Sequence, residues 1–396
     1  MGTKFSTAIN KGTDSYTTGK AVAQEALKKL GAAKADLAVV YASSKYDYNQ
    51  VLKGVNEVTG NALLIGSSSA GEFNEARADK ESVVCGLLAS DTHKFFAGMG
   101  TGLKADPIAA VNMAKTGLPE TLNDYAHKSA ILHIDGLAGN GEEASLAGLS
   151  ELGMDMILSG GAAGDDLQFK ETKVFLNNKI LSDAVSVCMM FSKKPVAIGV
   201  KHGHSPISGP MTITKAQANV VYEINGKKAF DVWKDAVKEE LNKTGVDVNK
   251  LQDPTEIGSL LIKYEAGLET GGDYKIRVPL STSEDGALNF ACTMVEGSVM
   301  RICKSPQEDQ IKSARTAAEL ALKAVGNVKL AGALVFDCVC RSLILDNRFF
   351  EGIQAVKSVI GNIPIIGFET YGEIGLIPGQ LSGFHNTTTV VLLIPE

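Results

Sequence analysis

Several features that would assign a broad class at once are missing from this 396-residue sequence. No apolar run approaches the roughly 20 residues needed to span a bilayer, and the start of the chain lacks the apolar core of a secretion signal. The 39 basic and 45 acidic residues give a formal net charge of −6, and neither sign forms a long block. Nucleic acids and anionic membranes both require a basic face. We therefore expect a cytoplasmic protein that neither enters a membrane nor binds nucleic acid.

Cysteine patterns typical of metal sites or disulfide frameworks are missing as well. The six cysteines lie mostly in apolar runs, such as the one around Cys85, and no CxxC pair occurs. Cys338 and Cys340 would point to opposite faces if one strand continued through both. Buried cysteines of this kind behave as small core residues. We predict no disulfide and no structural zinc site.

The motifs of common enzymes are incomplete. There is no Walker A motif, and the run Gly66–Gly71 misses G-x-S-x-G because Ala70 occupies the fifth position. Gly139–Ala144 matches G-x-G-x-x-A, but Glu142 and Glu143 place negative charge where a pyrophosphate would bind. We interpret these two acids as helix caps. The chain is therefore predicted not to be an enzyme, with an unassigned hydrolase or transferase kept as an alternative.

An internal repeat is the main positive signal. The segment Asn61–Phe73 aligns with Ile363–Gly375, which pairs Glu72 with Glu373. A weaker third copy is Asp155–Asp166, in which Gly164 and Asp165 fall on the positions of Gly71 and Glu72. Each copy is an apolar strand that runs into a loop of small residues and closes on a carboxylate. We predict that the loops Gly66–Glu72 and Gly367–Glu373 occupy equivalent places in similar structural units.

The regions around the three loops repeat too. A β-branched strand and a helix-like segment precede each loop, and another apolar strand follows it. Nearly continuous apolar strands are typical of sheets that helices cover. The sequence therefore predicts an α/β fold of repeated strand-helix-strand-loop-strand units, with helices packed on mixed β-sheets. A fourth region, about Gly258 to Ile302, is predicted to contain strands, the first over Ser259–Ala266, without the glycine loop.

Two domains are expected at this length. The segment Lys201–Pro210 is rich in Gly, Pro and Ser, and its prolines would interrupt a helix or a central strand. It separates the second repeat from the third. We place the boundary near residue 220, which gives an N-terminal domain over 1–220 and a C-terminal domain over 221–396.

The repeated segments resemble a known family. "IGSSSAGEF" and "SGGAAGDD" resemble the N-terminal FIST domain, whereas "VFDCVCR", "IIGFETYGEIG" and "FHNTTTVVLL" resemble the C-terminal FIST domain. The resemblance covers nearly the whole chain in the family's order. It implies a sensory protein that binds a small polar metabolite, such as an amino acid, and signals to a partner. No output domain is recognisable, so the partner, a kinase or similar protein, would act in trans. Assembly of the chain into a homo-oligomer is left open.

The resemblance also raises a cofactor question. No cofactor is expected from the residues, but some relatives resemble haem-binding nitric-oxide sensors. Haem needs one axial histidine and an apolar pocket. The axial candidates would be His204 and His385. At His204 and Ser205 the chain departs from the Cys-Arg pair that relatives more often carry.

The repeated loops and the C-terminal block are the predicted ligand site. Small side chains let a ligand approach the backbone closely, and the recurring acids could accept a ligand ammonium. The alternative is that the loops are tight packing turns in which each acid caps its own loop. Tyr371 could stack on a planar ligand or be a core residue, and Arg341 could clamp an anion. The predicted ligand-binding residues are Ser67, Ser68, Ser69, Gly71, Glu72, Gly164, Asp165, Asp166, Cys338, Arg341, Glu369, Tyr371, Gly372, Glu373, His385 and Asn386.

Overall fold

The computed structural model describes residues 2–270, 272–380 and 382–396. None of the helices in these ranges is both long enough and apolar enough to cross a membrane. The helices are α1 (Ser15–Leu30), α2 (Tyr48–Thr59), α3 (Pro107–Lys115), α4 (Gly141–Leu152), α5 (Ala229–Lys243), α6 (Pro254–Lys263), α7 (Gln307–Val325), α8 (Val339–Leu345) and α9 (Phe349–Ile360).

The strands outnumber the helices and form four sheets. They are β1 (Thr3–Asn10), β2 (Leu37–Ser43), β3 (Leu63–Ser69), β4 (Glu72–Asn74), β5 (Ala78–Asp79), β6 (Val83–Ser90), β7 (His93–Thr101), β8 (His127–Ile134), β9 (Ile157–Ala162), β10 (Val174–Leu176), β11 (Lys179–Leu181), β12 (Ala184–Ser192), β13 (Ala197–His202), β14 (Ser205–Pro206), β15 (Met211–Gln217), β16 (Val220–Ile224), β17 (Lys227–Lys228), β18 (Tyr264–Thr270), β19 (Asp273–Arg277), β20 (Pro279–Thr282), β21 (Leu288–Phe290), β22 (Val299–Lys304), β23 (Leu330–Cys338), β24 (Ile365–Thr370), β25 (Glu373–Leu376), β26 (Phe384–His385) and β27 (Thr388–Pro395).

Three of the sheets share one topology, and each defines a unit. Their strand orders are β1-β6-β2-β3-β10-β11 in the first unit, β7-β12-β8-β9-β25-β26 in the second and β13-β27-β23-β24-β4-β5 in the third. In every unit the third and fourth strands are parallel, and the strand beside them is antiparallel. The α/β class and the repeated strand-helix-strand-loop-strand unit are thus confirmed.

The units are joined by an exchange of hairpins. The first unit gives β4-β5 to the third sheet, the third gives β25-β26 to the second, and the second gives β10-β11 to the first. Because each unit both donates and receives a hairpin, the three sheets form one continuous structure, called the body below. Two of these hairpins begin directly after the loops of the first and third repeats.

The body has one shared core and three outer ones. Apolar side chains from all three sheets pack together in the shared core, whereas α1 with α2, α3 with α4, and α7 with α9 cover the other faces. Tyr41, His133 and Phe336 hold equivalent positions in the three units and meet there. The Tyr41 hydroxyl lies 3.1 Å from His133 Nε2. Burial lowers the pKa of His133 to about 3, which keeps the ring neutral in this core.

One glycine in each unit is required by the spacing of the parallel strands. A Cβ atom on Gly66, Gly160 or Gly367 would lie 1.8, 1.9 or 2.2 Å from the carbonyl oxygen of the paired residue on the neighbouring strand. No side chain fits at such distances. The three glycines therefore mark structurally equivalent positions. This confirms the prediction that the loop after Gly66 and the loop after Gly367 are equivalent.

An additional sheet is inserted into the third unit between β13 and α7. Its order is β19-β18-β22-β15-β16-β21-β20, with β14 and β17 paired at its sides, and its core surrounds Trp233. The strand predicted over Ser259–Ala266 is wrong in its first part, because α6 extends to Lys263. Asp253 caps that helix and Pro254 starts it. Residue 220, where the sequence suggested a domain boundary, begins β16 in this sheet.

Charged side chains attach the inserted sheet to the second unit. Glu142 on α4 accepts hydrogen bonds from Lys275 Nζ at 2.9 Å and Arg277 Nη2 at 2.8 Å. The two cations are nearly buried, and together they lower the pKa of Glu142 against the effect of its burial. Glu142 and Glu143 lie in the first turn of α4, as predicted, and Glu142 is in addition an anchor between the body and the inserted sheet.

Candidate ligand-binding cavity

The three repeated loops meet one another and are joined through their backbones. The Ala70 amide donates to the Glu369 carbonyl at 3.1 Å, and the Gly164 amide donates to the Ser68 carbonyl at 3.1 Å. A third bond of this kind joins the second loop to the third. A Cβ atom on Gly71 would lie 2.4 Å from the Glu369 carboxylate. The small residues therefore allow the loops to pack closely on one another.

Glu72 and Glu373 are enclosed within their own loops. Glu72 Oε2 accepts from the Ser82 amide at 3.0 Å and from its hydroxyl at 2.6 Å, while Oε1 contacts the Ser69 hydroxyl. Glu373 makes the equivalent contacts with two threonines. Burial raises the pKa of Glu72 to about 8 and that of Glu373 well above its ordinary value. Both side chains are fully buried, so neither carboxyl group faces open space.

Asp165 stabilises the loop that follows it. Its carboxylate accepts hydrogen bonds from the amides of Phe169, Lys170 and Glu171 at 2.9, 2.7 and 3.0 Å. It also accepts from the Tyr371 hydroxyl at 2.5 Å. This one side chain therefore holds the start of a surface loop and connects it to the third unit.

In the second unit the acid lies one residue closer to the required glycine of the strand than it does in the first and third units. Asp165 follows Gly160 by five residues, whereas Glu72 follows Gly66 by six, as Glu373 follows its own glycine. Aligning Asp165 with the two glutamates is therefore wrong in register by one residue. The shorter spacing places the carboxylate beside the following loop instead of inside the preceding one.

Other predicted site residues are also occupied by protein partners. Asp166 accepts from the hydroxyl groups of Ser43 and Ser44 at 2.8 and 2.5 Å. Ser68 is fully buried, and its Oγ accepts from the Lys173 amide at 2.9 Å, whereas the buried Ser67 hydroxyl has no hydrogen-bond partner among the described residues. These contacts seal the ends of β2 and β3.

Arg341 forms a buried ion pair, whereas buried Glu369 pairs with a half-exposed lysine. Arg341 Nε donates to Asp337 at 2.7 Å, and its other nitrogens bond to Ser313 and Gln310. Glu369 pairs with Lys80, which offsets part of the effect of burial, and the pKa of Glu369 is about 7. The guanidinium is fully buried and directed at protein groups, so this conformation does not present it as an anion clamp.

An apolar cavity of about 310 Å³ lies between the body and the inserted sheet. The inserted sheet with its connecting turns supplies Asn219, Val278, Leu280, Phe290 and Ala291, and the adjoining helix α6 supplies Ile262. The body supplies Gly136, Leu137, Gly139, Leu167, Phe169, Cys338, Val339, Cys340, Leu343, Tyr371 and Asn386. Three residues of the sequence prediction, Cys338, Tyr371 and Asn386, therefore come together here.

The cavity lies where strands of two units end. Gly136 follows β8, Cys338 is the last residue of β23, and Tyr371 follows β24. Ligands of α/β proteins commonly bind beyond the carboxyl ends of parallel strands. The inserted sheet closes this end from the other side. The fold thus positions the cavity at a place where two separately built walls face each other.

Few polar groups and no charged side chain of the described ranges line the cavity. Asn386 Oδ1 lies 3.4 Å from the Val278 amide, and Asn219 donates to the Phe290 carbonyl at 2.9 Å. The Tyr371 hydroxyl is fully engaged with the loop, since it also accepts from the Leu167 amide at 2.8 Å. The lining therefore offers mainly apolar contact, with side-chain amides for orientation.

A strained loop forms one side of the cavity mouth. Asp166, Leu167 and Phe169 have φ angles of +54°, +63° and +52°, which side-chain-bearing residues seldom adopt. Phe169 is 55% exposed and stacks on Tyr371, with ring centroids 5.2 Å apart. Asp165 holds this conformation. Strained backbone tends to concentrate at functional sites, so its position at the mouth supports a role for the cavity.

Sequence reasoning missed most of the cavity wall. Leu167 and Phe169 lie just beyond the second repeat, and Val278 and Leu280 lie in the inserted sheet. Their spacing carries no sign of a shared surface, because the two segments come together only in the tertiary structure. The one available signal was that the fourth region lacks the loop of the repeat, which marks it as an addition to the body.

The two cysteines of the CxC segment do not follow the predicted alternation. β23 ends at Cys338 and α8 begins at Val339, so Cys338 and Cys340 are not on opposite faces of one strand. Both side chains line the cavity and belong to the same small apolar cluster. All six cysteines are free and buried. Over the described ranges, no cluster of three or more His, Cys, Asp or Glu side chains is arranged to hold a metal ion.

The two histidines considered for haem lie outside this cavity. His204 is buried with its Nε2 3.4 Å from Glu265 Oε2, and burial lowers its pKa to about 3. His385 Nε2 lies 2.9 Å from the Gly375 carbonyl oxygen. An axial ligand must face an apolar pocket with a free nitrogen. Neither histidine belongs to the cavity wall, so neither is placed to ligate a haem there.

His385 borders a second, polar groove of about 400 Å³. Lys201 and His202 in this groove both contact Asp273, at 2.7 and 3.2 Å. The Lys275 side chain, also in the groove, pairs with Glu142. The charges in the groove are therefore paired with one another or with the body.

Comparisons with known proteins agree with the repeated architecture. The model of the FIST N domain matches residues 36–227, and that of the FIST C domain matches residues 229–376. An uncharacterized protein of Methanocaldococcus jannaschii is 24% identical over 267 residues, which cover 63% of this chain and 51% of that protein. Uncharacterized proteins of Mycobacterium bovis and Mycobacterium tuberculosis are 24% and 22% identical, over 60% of each chain. The matches thus span about half to three fifths of these relatives. The chain belongs to the FIST family, whose domains are of the sensory type.

Proposed function

We propose that this chain is a sensory module that binds a small, uncharged and largely apolar molecule between the body and the inserted sheet. The observation that carries the proposal is the apolar cavity of about 310 Å³, which has walls from both parts. Its size is at the lower end of the range of about 300 to 1,000 Å³ for small-molecule sites. The strained loop at its mouth adds support.

The lining argues for an uncharged ligand over a free amino acid. An amino acid brings an ammonium and a carboxylate, and each costs several kcal/mol to bury without a partner. The acids expected to accept the ammonium, Glu72 and Glu373, are enclosed in their own loops. The side-chain amides of Asn219 and Asn386 suit a neutral ligand with one or two hydrogen-bonding groups.

A ligand in this position contacts both walls and so affects how they sit relative to each other. On one side the inserted sheet is held to the body by Glu142, Lys275 and Arg277. Filling the cavity on the other side favours one relative position, and a partner protein that recognises that position would receive the signal in trans. The signal is therefore a shift in population between two arrangements.

The test uses N-phenyl-1-naphthylamine, a neutral apolar dye that fluoresces when it leaves water. We expect the wild-type protein to bind one dye molecule per chain. The substitution Ala291→Leu fills part of the cavity, and we expect dye affinity to fall at least about tenfold, the equivalent of about 1.4 kcal/mol. Ala109→Leu, on an exposed face of α3, is the matched control and keeps wild-type affinity.

Thermal melts accompany both variants, so that a loss of folding is separated from a loss of binding. If Ala291→Leu melts normally and binds the dye as tightly as the wild type does, the cavity is not the binding site. If competing small molecules are screened by dye displacement, neutral apolar compounds should displace it better than free amino acids do.

A further inference from the structure

Two thiols lie side by side on the wall of the apolar cavity. Cys338 ends β23 and Cys340 belongs to the first turn of α8, and they are 1% and 6% exposed. The turn from strand to helix brings both into the cavity lining, and both belong to the same small apolar cluster. A pair of thiols separated by one residue can bind a single atom at two points.

The surroundings select the kind of atom. No charged side chain of the described ranges lines the cavity, and burial keeps the Glu373 carboxyl group beside Cys338 protonated by raising its pKa well above its ordinary value, so a bound cation would have only the thiols to neutralise it. Burial raises the pKa of Cys338 well above its ordinary value, which opposes the loss of the protons that cation binding requires. A neutral thiophilic centre that carries an apolar substituent avoids both costs.

We propose that Cys338 and Cys340 form a dithiol site for a monosubstituted trivalent arsenic compound, whose organic group lies in the apolar cavity. In the reaction the arsenic–oxygen double bond of R–As=O breaks and two arsenic–sulfur bonds form. Both thiol protons leave with the oxygen as one molecule of water. Nothing is oxidised or reduced, and the product is neutral.

The cavity has room for the organic group. A dry apolar cavity of about 150 Å³ holds benzene, and this cavity measures about 310 Å³. Val278 and Leu280 face the thiols from the inserted sheet and would contact a phenyl substituent. The proposal uses the same cavity as the sensory function but does not depend on a sensory role.

Phenylarsine oxide is the probe for this site. Intact-mass spectrometry of the folded wild-type chain should show one phenylarsenic group per chain at equimolar reagent, with the loss of one water. Ethanedithiol should remove it, whereas an excess of 2-mercaptoethanol should not. Because two-point attachment strengthens binding by about 10²- to 10⁴-fold, Cys338→Ala and Cys340→Ala should each bind at least about 100-fold more weakly. The matched control, Cys85→Ala, should bind like the wild type.

A second measurement needs no variant. Iodoacetamide labelling of the wild type, unfolded in urea after exposure to the arsenical and mapped by peptide mass spectrometry, should show Cys338 and Cys340 protected and the other cysteines labelled. Equal binding by the alanine variants, or protection of other cysteines, overturns the proposal. If the naphthylamine dye binds and the arsenical does not, the dithiol site is wrong and the sensory cavity stands. If the arsenical binds and the dye does not, the sensory cavity is wrong and the dithiol site stands.

Discussion

The first and third units end their parallel strands in opposite ways. Ser43 and Cys338 occupy equivalent positions, as the pairing of β2 with β3 and of β23 with β24 shows. At Ser43 the strand end is closed by the Asp166 carboxylate from the second unit. At Cys338 the equivalent space faces the inserted sheet and forms the cavity. The same sheet topology thus produces a sealed strand end in one unit and a cavity in another, depending on which segment covers the strand end.

The interior of the two units differs in charge as well. Ala42 in the first unit corresponds to Asp337 in the third, where Arg341 forms a buried ion pair with that aspartate. The loop glutamates, by contrast, each accept hydrogen bonds from a hydroxyl three residues earlier in the chain and from a following backbone amide. The comparison therefore separates a feature shared by the two units, the hydrogen-bonded loop glutamate, from a feature that the third unit adds beside the cavity, the buried ion pair.

The largest effect is expected from Arg341→Met, which removes a feature that only the third unit has. Asp337 would be left buried without its partner, and we expect the free energy of unfolding to fall by about 3 to 5 kcal/mol. Urea unfolding measures the loss. The double variant with Asp337→Asn should recover part of it. A loss below about 1 kcal/mol for the single variant would show that the pair does not hold this strand end.

A smaller loss is expected from Gly66→Ala and Gly367→Ala, which test what the units share. Each new Cβ meets a backbone carbonyl oxygen within 2.2 Å, so we expect each variant to lose about 2 to 3 kcal/mol of stability. Gly60→Ala is the control, because a Cβ there meets nothing within 4 Å and only its φ of +65° is unfavourable, at about 1 to 2 kcal/mol. Tolerance of one core glycine substitution but not the other would break the equivalence of the two units.

The smallest effect concerns the buried loop acids and depends on pH. Burial raises the pKa of Glu72 to about 8, so its contribution to stability is full below the unfolded-state pKa and is lost as pH rises through about 8. Gln cannot ionise, so Glu72→Gln should flatten the decline in melting temperature between about pH 5 and about pH 8. Glu373→Gln should act in the same direction.

Exposed Glu120→Gln serves as the control for this pH series, and its melting curve should follow the wild type at every pH. Parallel pH profiles for wild type and Glu72→Gln would mean that the folded protein holds this acid ionised. That result would also reopen the loops as places where a cation could bind.

The sequence by itself determined the repeated unit and its class. Gly66 and Gly367 had to recur because only glycine fits above the neighbouring strand, and the strands had to be apolar because helices cover one face and a shared core the other. These are local demands that leave a periodic trace in the chain. The equivalence of two loops could therefore be predicted without a structure.

The tertiary structure alone decided where the cavity lies and which acids are available. Whether Glu72 accepts a ligand or a loop amide depends on Ser82, ten residues away, and no spacing rule indicates that contact. Val278 and Phe169 become neighbours of Cys338 only when the inserted sheet docks on the body. Packing between distant segments has no period in the sequence, and for that reason the cavity appears only in the folded chain.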